Sequence, residues 1–178
     1  MKAATILATT FGLALAFGPT LTLADAGGGS SSGGANATCP RGQVWDSRSR
    51  RCVSQRGSAL PDKVLTDYAY ALAKATRYDE ALETLDLLRD PNTAEALNYR
   101  GYATRKLGRV DEGIGYYLKS VAKDPRYAEV REYLGEAYVI KGDIIAAKEQ
   151  LRTIEGICGT HCEQYQHLAD VIADPSKL

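Results

Sequence analysis

The 178-residue chain holds little of what catalysis requires. It has two histidines, His161 and His167, both near the C-terminus, so acid–base chemistry close to neutral pH has few candidates. There is no G-x-S-x-G nucleophile turn, no glycine-rich phosphate loop and no H-E-x-x-H pair. Charge of one sign is lacking too, since 22 basic residues balance 22 acidic ones. Nucleic acid, whose backbone demands a basic surface, is therefore not an expected partner. An enzyme is not expected, and neither a cofactor nor a metal is called for.

What is present begins with a leader-like segment. Lys2 is followed by an apolar run from Ala3 to Phe17, and the stretch closes on Ala24-Asp25-Ala26. A basic start, an apolar middle and an A-x-A end read as a signal peptide over residues 1–26. Gly18 and Pro19 interrupt the run short of the about 20 apolar residues that a membrane span needs, so no span is expected after cleavage. The expected location is the periplasm, with secretion as the alternative. Gly27 to Thr38, "GGGSSSGGANAT", buries too little apolar surface to offset chain entropy and reads as a flexible linker.

A cysteine-bounded loop, "CPRGQVWDSRSRRC", comes next and sets the bounds of a small unit over residues 39–58. In an oxidising compartment Cys39 and Cys52 are expected to pair. Closing so short a loop constrains the unfolded chain by about 3 kcal/mol on the entropic model. A hairpin is predicted, with Gln43 to Asp46 and Arg51 to Ser54 extended and the turn near Ser47 to Ser49. Trp45 either packs on the disulfide, with the arginines solvating the loop, or forms a patch with Arg41, Arg48, Arg50 and Arg51 for an acidic partner or envelope polymer.

From Pro61 onward the pattern is helical and repeats. Gly101 recurs as Gly135, Gly108 as Gly142 and Gly113 as Ala147, each 34 residues on. An interior glycine weakens a helix by about 1 kcal/mol relative to alanine, so its recurrence calls for a packing reason. Leu134-Gly135-x-x-Tyr138 matches the L-G-x2-Y element of the tetratricopeptide repeat, and Ala147 with Leu151 fits its A-x3-F element with leucine for phenylalanine. The chain resembles that family over residues 60–156, in three copies: 62–91, 94–125 and 128–156. The first copy, with "RYDEAL", has Ala69 and Ala81 at the small positions. The second departs from the pattern at Arg100 and Thr104. As a whole the chain resembles small exported bacterial tetratricopeptide proteins that carry a CPxGxVW segment and a CGxxC end.

That resemblance implies an all-α solenoid of antiparallel helix pairs. Residues 69, 101 and 135 are then expected to press the first helix of each pair on the second, with 81, 113 and 147 facing them. Gly108 and Gly142 are expected to end the first helices in a left-handed conformation, with Asp111 and Asp143 helping to begin the second ones. Leu65, Tyr68, Leu72, Leu85, Leu88, Leu97, Tyr117, Leu134, Tyr138, Leu151 and Ile154 are the expected core. The first helices are expected to line a concave groove for an unidentified protein or peptide. Its expected positions are Lys63, Thr66, Tyr70 and Lys74 in the first copy, Glu95, Asn98, Tyr102, Arg105 and Lys106 in the second, and Glu129, Glu132, Glu136 and Ile140 in the third. Such a groove is basic and aromatic at one end and acidic at the other. The remaining carboxylates are expected mainly on solvated faces.

The last segment, residues 157–178, leaves the repeat. Tyr165, Leu168, Ala169 and Ile172 form an apolar stripe at helical spacing, which predicts a seventh helix from Glu163 to Ala173 that caps the final copy, with Pro175 stopping it. "CGTHC" has the wrong spacing for haem attachment. Zinc on Cys158, Cys162 and His167 would want a fourth ligand. A thiol-redox accessory role is one alternative, with Cys162 near a helix N-terminus; a structural disulfide pinning the seventh helix is another. By proximity, Cys39–Cys52 and Cys158–Cys162 are the expected pairs among three pairings. The leading expectation is a non-catalytic protein-interaction scaffold; the alternatives are the redox role and envelope-polymer binding through the Trp45 loop.

Overall fold

The structure is a computed structural model that describes residues 38–55 and 60–178. The expected signal peptide, and all of the linker except Thr38, lie outside the described residues, as does the stretch 56–59. Among the described residues two strands, β1 (Gln43–Asp46) and β2 (Arg51–Ser54), precede seven α-helices. These are α1 (Asp62–Lys74), α2 (Tyr78–Leu85), α3 (Ala94–Lys106), α4 (Val110–Lys123), α5 (Ala128–Ile140), α6 (Ile144–Cys158) and α7 (Glu163–Ala173). Helices α1/α2, α3/α4 and α5/α6 pack as antiparallel pairs. The inner helices α1, α3, α5 and α7 adjoin one another in turn.

Local signals set the helix ends. Thr93 caps α3 by accepting the Ala96 N–H, and Asp143 caps α6 by accepting the Ala146 N–H. Asp111, expected in a similar role, instead stands in the first turn of α4 and pairs with Lys141 at 2.8 Å. Gly108 and Gly142 take φ of 84° and 76°, which turns the chain back so that the following N–H reaches the carbonyl five residues earlier. In the first pair the same turn is made by Thr76 at φ 61°, with the Arg77 N–H on the Leu72 carbonyl. Helix α2 stops early at Leu85. The loop after it is held by Asp62, whose carboxylate accepts the N–H groups of Arg89 and Asp90 at 3.2 and 2.9 Å.

The repeating glycines show why side chains are missing. A methyl group on Gly101 would lie 2.6 Å from Tyr117 Cε1 and 3.1 Å from the Gly113 carbonyl; one on Gly113 would lie 3.0 Å from the Gly101 carbonyl. Helices α3 and α4 therefore meet backbone to backbone at these two residues. Gly135 departs from the expectation that it faces its own partner helix, because its nearest neighbour is Leu168 of α7. Leu168 thus fills the place in the third unit that Tyr117 fills in the second. Leu151, 34 residues after Tyr117, is consequently left half-buried, as is Tyr138, while the other expected core residues are buried.

The cysteine loop is an antiparallel hairpin in the register Val44↔Val53 and Trp45↔Cys52, closed by the Cys39–Cys52 disulfide. It does not stand apart from the helices. Val44 is fully buried in the same core as α1, and the buried Cys39 N–H donates to the Tyr68 hydroxyl at 2.8 Å. Arg77 holds Glu80 with two nitrogens while a third reaches the Cys39 carbonyl at 2.7 Å. Trp45 lies half-buried against this core and Arg41 is paired with Glu83. The hairpin thereby covers the first helix pair, as α7 covers the last.

Candidate binding groove

Inner helices present successive turns to one side, and here they line a cavity of about 290 Å³. Tyr70 and Lys74 come from α1, Tyr102 and Lys106 from α3, and Glu129, Glu132, Tyr133 and Glu136 from α5. Glu163, Gln164 and His167 of α7 complete the wall, together with Lys177 and Leu178. Two tyrosine pairs bring aromatic faces to the cavity. Tyr70 stacks on Tyr99 at 4.6 Å, and Tyr102 tilts against Tyr133 at 5.0 Å. The Lys74 ammonium stands 5.8 Å from the rings of both Tyr70 and Tyr102, with Lys106 equally far from Tyr102. Such placements draw ammonium groups to the ring faces. Burial, with the charge of Arg105 beside it, nonetheless lowers the affinity of Lys106 for its proton.

Some expected groove residues are not offered to a partner. Asn98 and Arg105 are buried between neighbouring inner helices and do not line the cavity. Residues that face the next repeat are enclosed by it, whereas those one turn round remain open. Asn98 donates to Glu129 Oε2 at 3.1 Å and to the Tyr127 hydroxyl at 3.2 Å, and Tyr127 in turn donates to Glu129 at 2.6 Å. Arg105 donates to Glu136 at 2.5 Å and to the Tyr117 hydroxyl at 3.1 Å. Thr66 is likewise buried, and Lys63 is taken up by Asp67. Ile140 stays exposed at the end of α5.

Two carboxylates of the third unit lie deeper than expected. Glu132 and Glu136 are 7% and 4% exposed, one helical turn apart on α5. Glu136 has the Arg105 guanidinium. The neighbour recorded for Glu132 is His167, whose Nδ1 lies 2.8 Å from Glu132 Oε1 and 3.2 Å from Glu136 Oε1. Burial, reinforced by the charges of Glu136, Glu129 and Glu163, pushes the Glu132 carboxyl up to about 8, with Lys74 opposing. His167 therefore belongs to this acidic wall and not to the cysteines. Sequence reasoning grouped it with them because they are neighbours in the chain; its i, i+4 glutamate partners come from a different helix.

The cysteines at the C-terminal end are joined to one another. Cys158 ends α6, Cys162 precedes α7, and the disulfide between them spans the turn that Gly159 makes at φ 80°. His161 is exposed in this turn and away from the groove.

No protein-family model matches the sequence, and no curated protein does. Solved structures do match. MamA is similar with a TM-score of 0.54 at 20% identity, over 65% of this chain and 68% of its own. The type III secretion chaperone SycD of Yersinia enterocolitica, in complex with a peptide of the translocator YopD, is similar with a TM-score of 0.53 at 17% identity, over 65% and 88%. PcrH in complex with the chaperone-binding region of PopB gives 0.52 at 16% identity, over 66% and 94%. The fold is a tetratricopeptide-type solenoid. At these identities the likeness is one of fold.

Proposed function

We propose that the protein is a non-catalytic scaffold that binds a segment of another protein in the groove of its inner helices. The observation that carries this reading is that Tyr70, Lys74, Tyr102, Lys106, Glu132 and Glu136, drawn from three successive inner helices, line a single cavity. Ring faces in the cavity wall beside the charged tips of Lys74 and Lys106 supply rigid contact area with few torsions to immobilise, which is what recognition of a peptide requires. The similar structures of SycD with a peptide of the translocator YopD and of PcrH with the chaperone-binding region of PopB support the reading. The leader-like residues 1–26 support placing this action in the periplasm.

The test uses a photo-crosslinking amino acid at position 106, on the groove, and at position 119, on the exposed side of α4. The expected result is a protein adduct from 106 in envelope extracts that disappears with Tyr102→Ala, and none from 119. Adducts from 119 alone, or no adduct from either, would overturn the groove reading. Mass measurement of the chain recovered from the periplasm checks export separately. A cytoplasmic protein that retains Met1 would sink that part.

A further inference from the structure

The groove's acidic wall carries an imbalance that the scaffold reading leaves unexplained. Four carboxylates line it, from Glu129, Glu132, Glu136 and Glu163. Glu136 is satisfied by Arg105, and Glu129 by the Asn98 amide and the Tyr127 hydroxyl. Glu163 is exposed, and its charge acts on Glu132. Glu132 is left buried beside other acids, with a half-exposed imidazole as its recorded ion-pair neighbour. A buried carboxylate without a matched cation is costly, so in the empty groove this carboxyl keeps its proton near neutral pH, as its upward shift to about 8 reflects. The cavity of about 290 Å³ opens directly onto it, and the Tyr102 and Tyr133 rings line the approach. Flat aromatic faces suit the alkyl stem and the charged end of a long basic side chain.

Resting on the scaffold reading above, we infer that the acidic wall is a seat for one basic side chain, lysine or arginine, of the bound segment, clasped by Glu132 and Glu136 with His167 at its mouth. The incoming charge stands against Glu132 from the cavity side, opposite no buried cation of its own helix, and drives off its proton. On α1 and α3 Lys74 and Lys106 repel a second cation, so the segment's basic residue lies toward α7. A divalent metal fits the charge less well. Arg105, Lys74 and Lys106 already stand against the four carboxylates, while the Lys177 ammonium is taken by Asp170 at 3.1 Å, and one further positive charge balances the set where two would exceed it.

The test begins with random peptides of about 12 residues, displayed on phage and selected on the full chain, keeping those whose binding is lost with Tyr102→Ala. Each lysine or arginine of a retained peptide is then replaced by norleucine and titrated against the wild-type chain and against Glu132→Gln. The expected result is one basic residue whose replacement weakens wild-type binding about tenfold or more and Glu132→Gln binding no more than about twofold. Titration calorimetry in buffers of different ionisation enthalpy is expected to show release of close to one proton by the wild type and none by Glu132→Gln. Groove-dependent peptides without such a residue, or an equal loss in both proteins, would overturn the seat and leave the groove reading standing. If no selected peptide depended on Tyr102, both would fall. Zinc chloride alone is the remaining arm: stabilisation of the wild type that vanishes in both Glu132→Gln and His167→Ala would make this a metal site and overturn the inference.

Discussion

Leu168 fills the space that a side chain at Gly135 would need. A methyl group there would stand 2.5 Å from Leu168 Cδ2 and 2.7 Å from Cδ1, and Leu168 itself is fully buried. The terminal helix α7 thus docks on α5 through the absence of a side chain. Gly135→Leu is expected to destabilise the fold by about 1–3 kcal/mol, or to displace α7 altogether. Urea unfolding checks this. Adding Leu168→Ala should recover part of the loss, because the two residues contend for one space. An unchanged midpoint for Gly135→Leu would refute the packing described.

The glycines divide into two kinds, and alanine substitution should separate them. At Gly101 and Gly113 a methyl group meets backbone or a buried ring at 2.6–3.1 Å, so alanine is expected to destabilise by about 1–3 kcal/mol. At Gly115 and Gly156, inside α4 and α6, a methyl group meets nothing within 4 Å. Alanine there is expected to stabilise by about 0.4–1 kcal/mol through reduced unfolded-state entropy. Thermal denaturation of the four single variants decides the matter; the same sign for all four would contradict this account.

Thr76 occupies the left-handed position that glycine holds in the two later units, at φ 61°. A β-branched residue is strained there, by roughly 1–2 kcal/mol. Replacing it with glycine relieves the strain but frees the unfolded chain. The net expectation for Thr76→Gly is a gain of about 0.5–1 kcal/mol. A loss of stability on denaturant titration would show that the Thr76 side chain makes a compensating contact.

Glu132 makes stability depend on pH in an unusual direction. Its carboxyl is raised to about 8 in the fold, chiefly by burial, from an ordinary value of 4.5. Between those two values the folded chain binds a proton that the unfolded chain has released, so stability falls as pH rises through this window. The stabilisation is fully present below the lower value and lost above the upper one. Wild-type protein is expected to melt at a lower temperature near about pH 9 than near about pH 6, and Glu132→Gln to flatten this difference. A steeper fall in the variant would show that another group carries the effect.

Much of this fold is legible from residue spacing, because helix pairing demands small residues at a fixed interval. Gly101, Gly113 and the left-handed turns at Gly108 and Gly142 stand where that demand puts them. The strands Gln43–Asp46 and Arg51–Ser54 follow from two cysteines and a polar turn. The tetratricopeptide resemblance placed Tyr70, Tyr102 and Glu132 on the inner face as well. It did not reveal depth. Whether Asn98 or Arg105 is open or enclosed depends on how closely the next unit approaches, and that distance is set by side chains about 30 residues away, such as Glu129 and Glu136. The partnership of His167 with Glu132 was hidden for the same reason, since a contact between α5 and α7 has no local signature. The docking of the cysteine hairpin through Tyr68 was hidden likewise.

The crossing of α3 over α4 has a wider implication. The crossing is made by these two glycines, Gly101 and Gly113, with the Tyr117 ring and the Arg105 Cβ beside them, and the residues on the outward flank of α4 take no part in it. The outer helix of this pair is thereby free to change its exposed chemistry without bending the hollow on the opposite side.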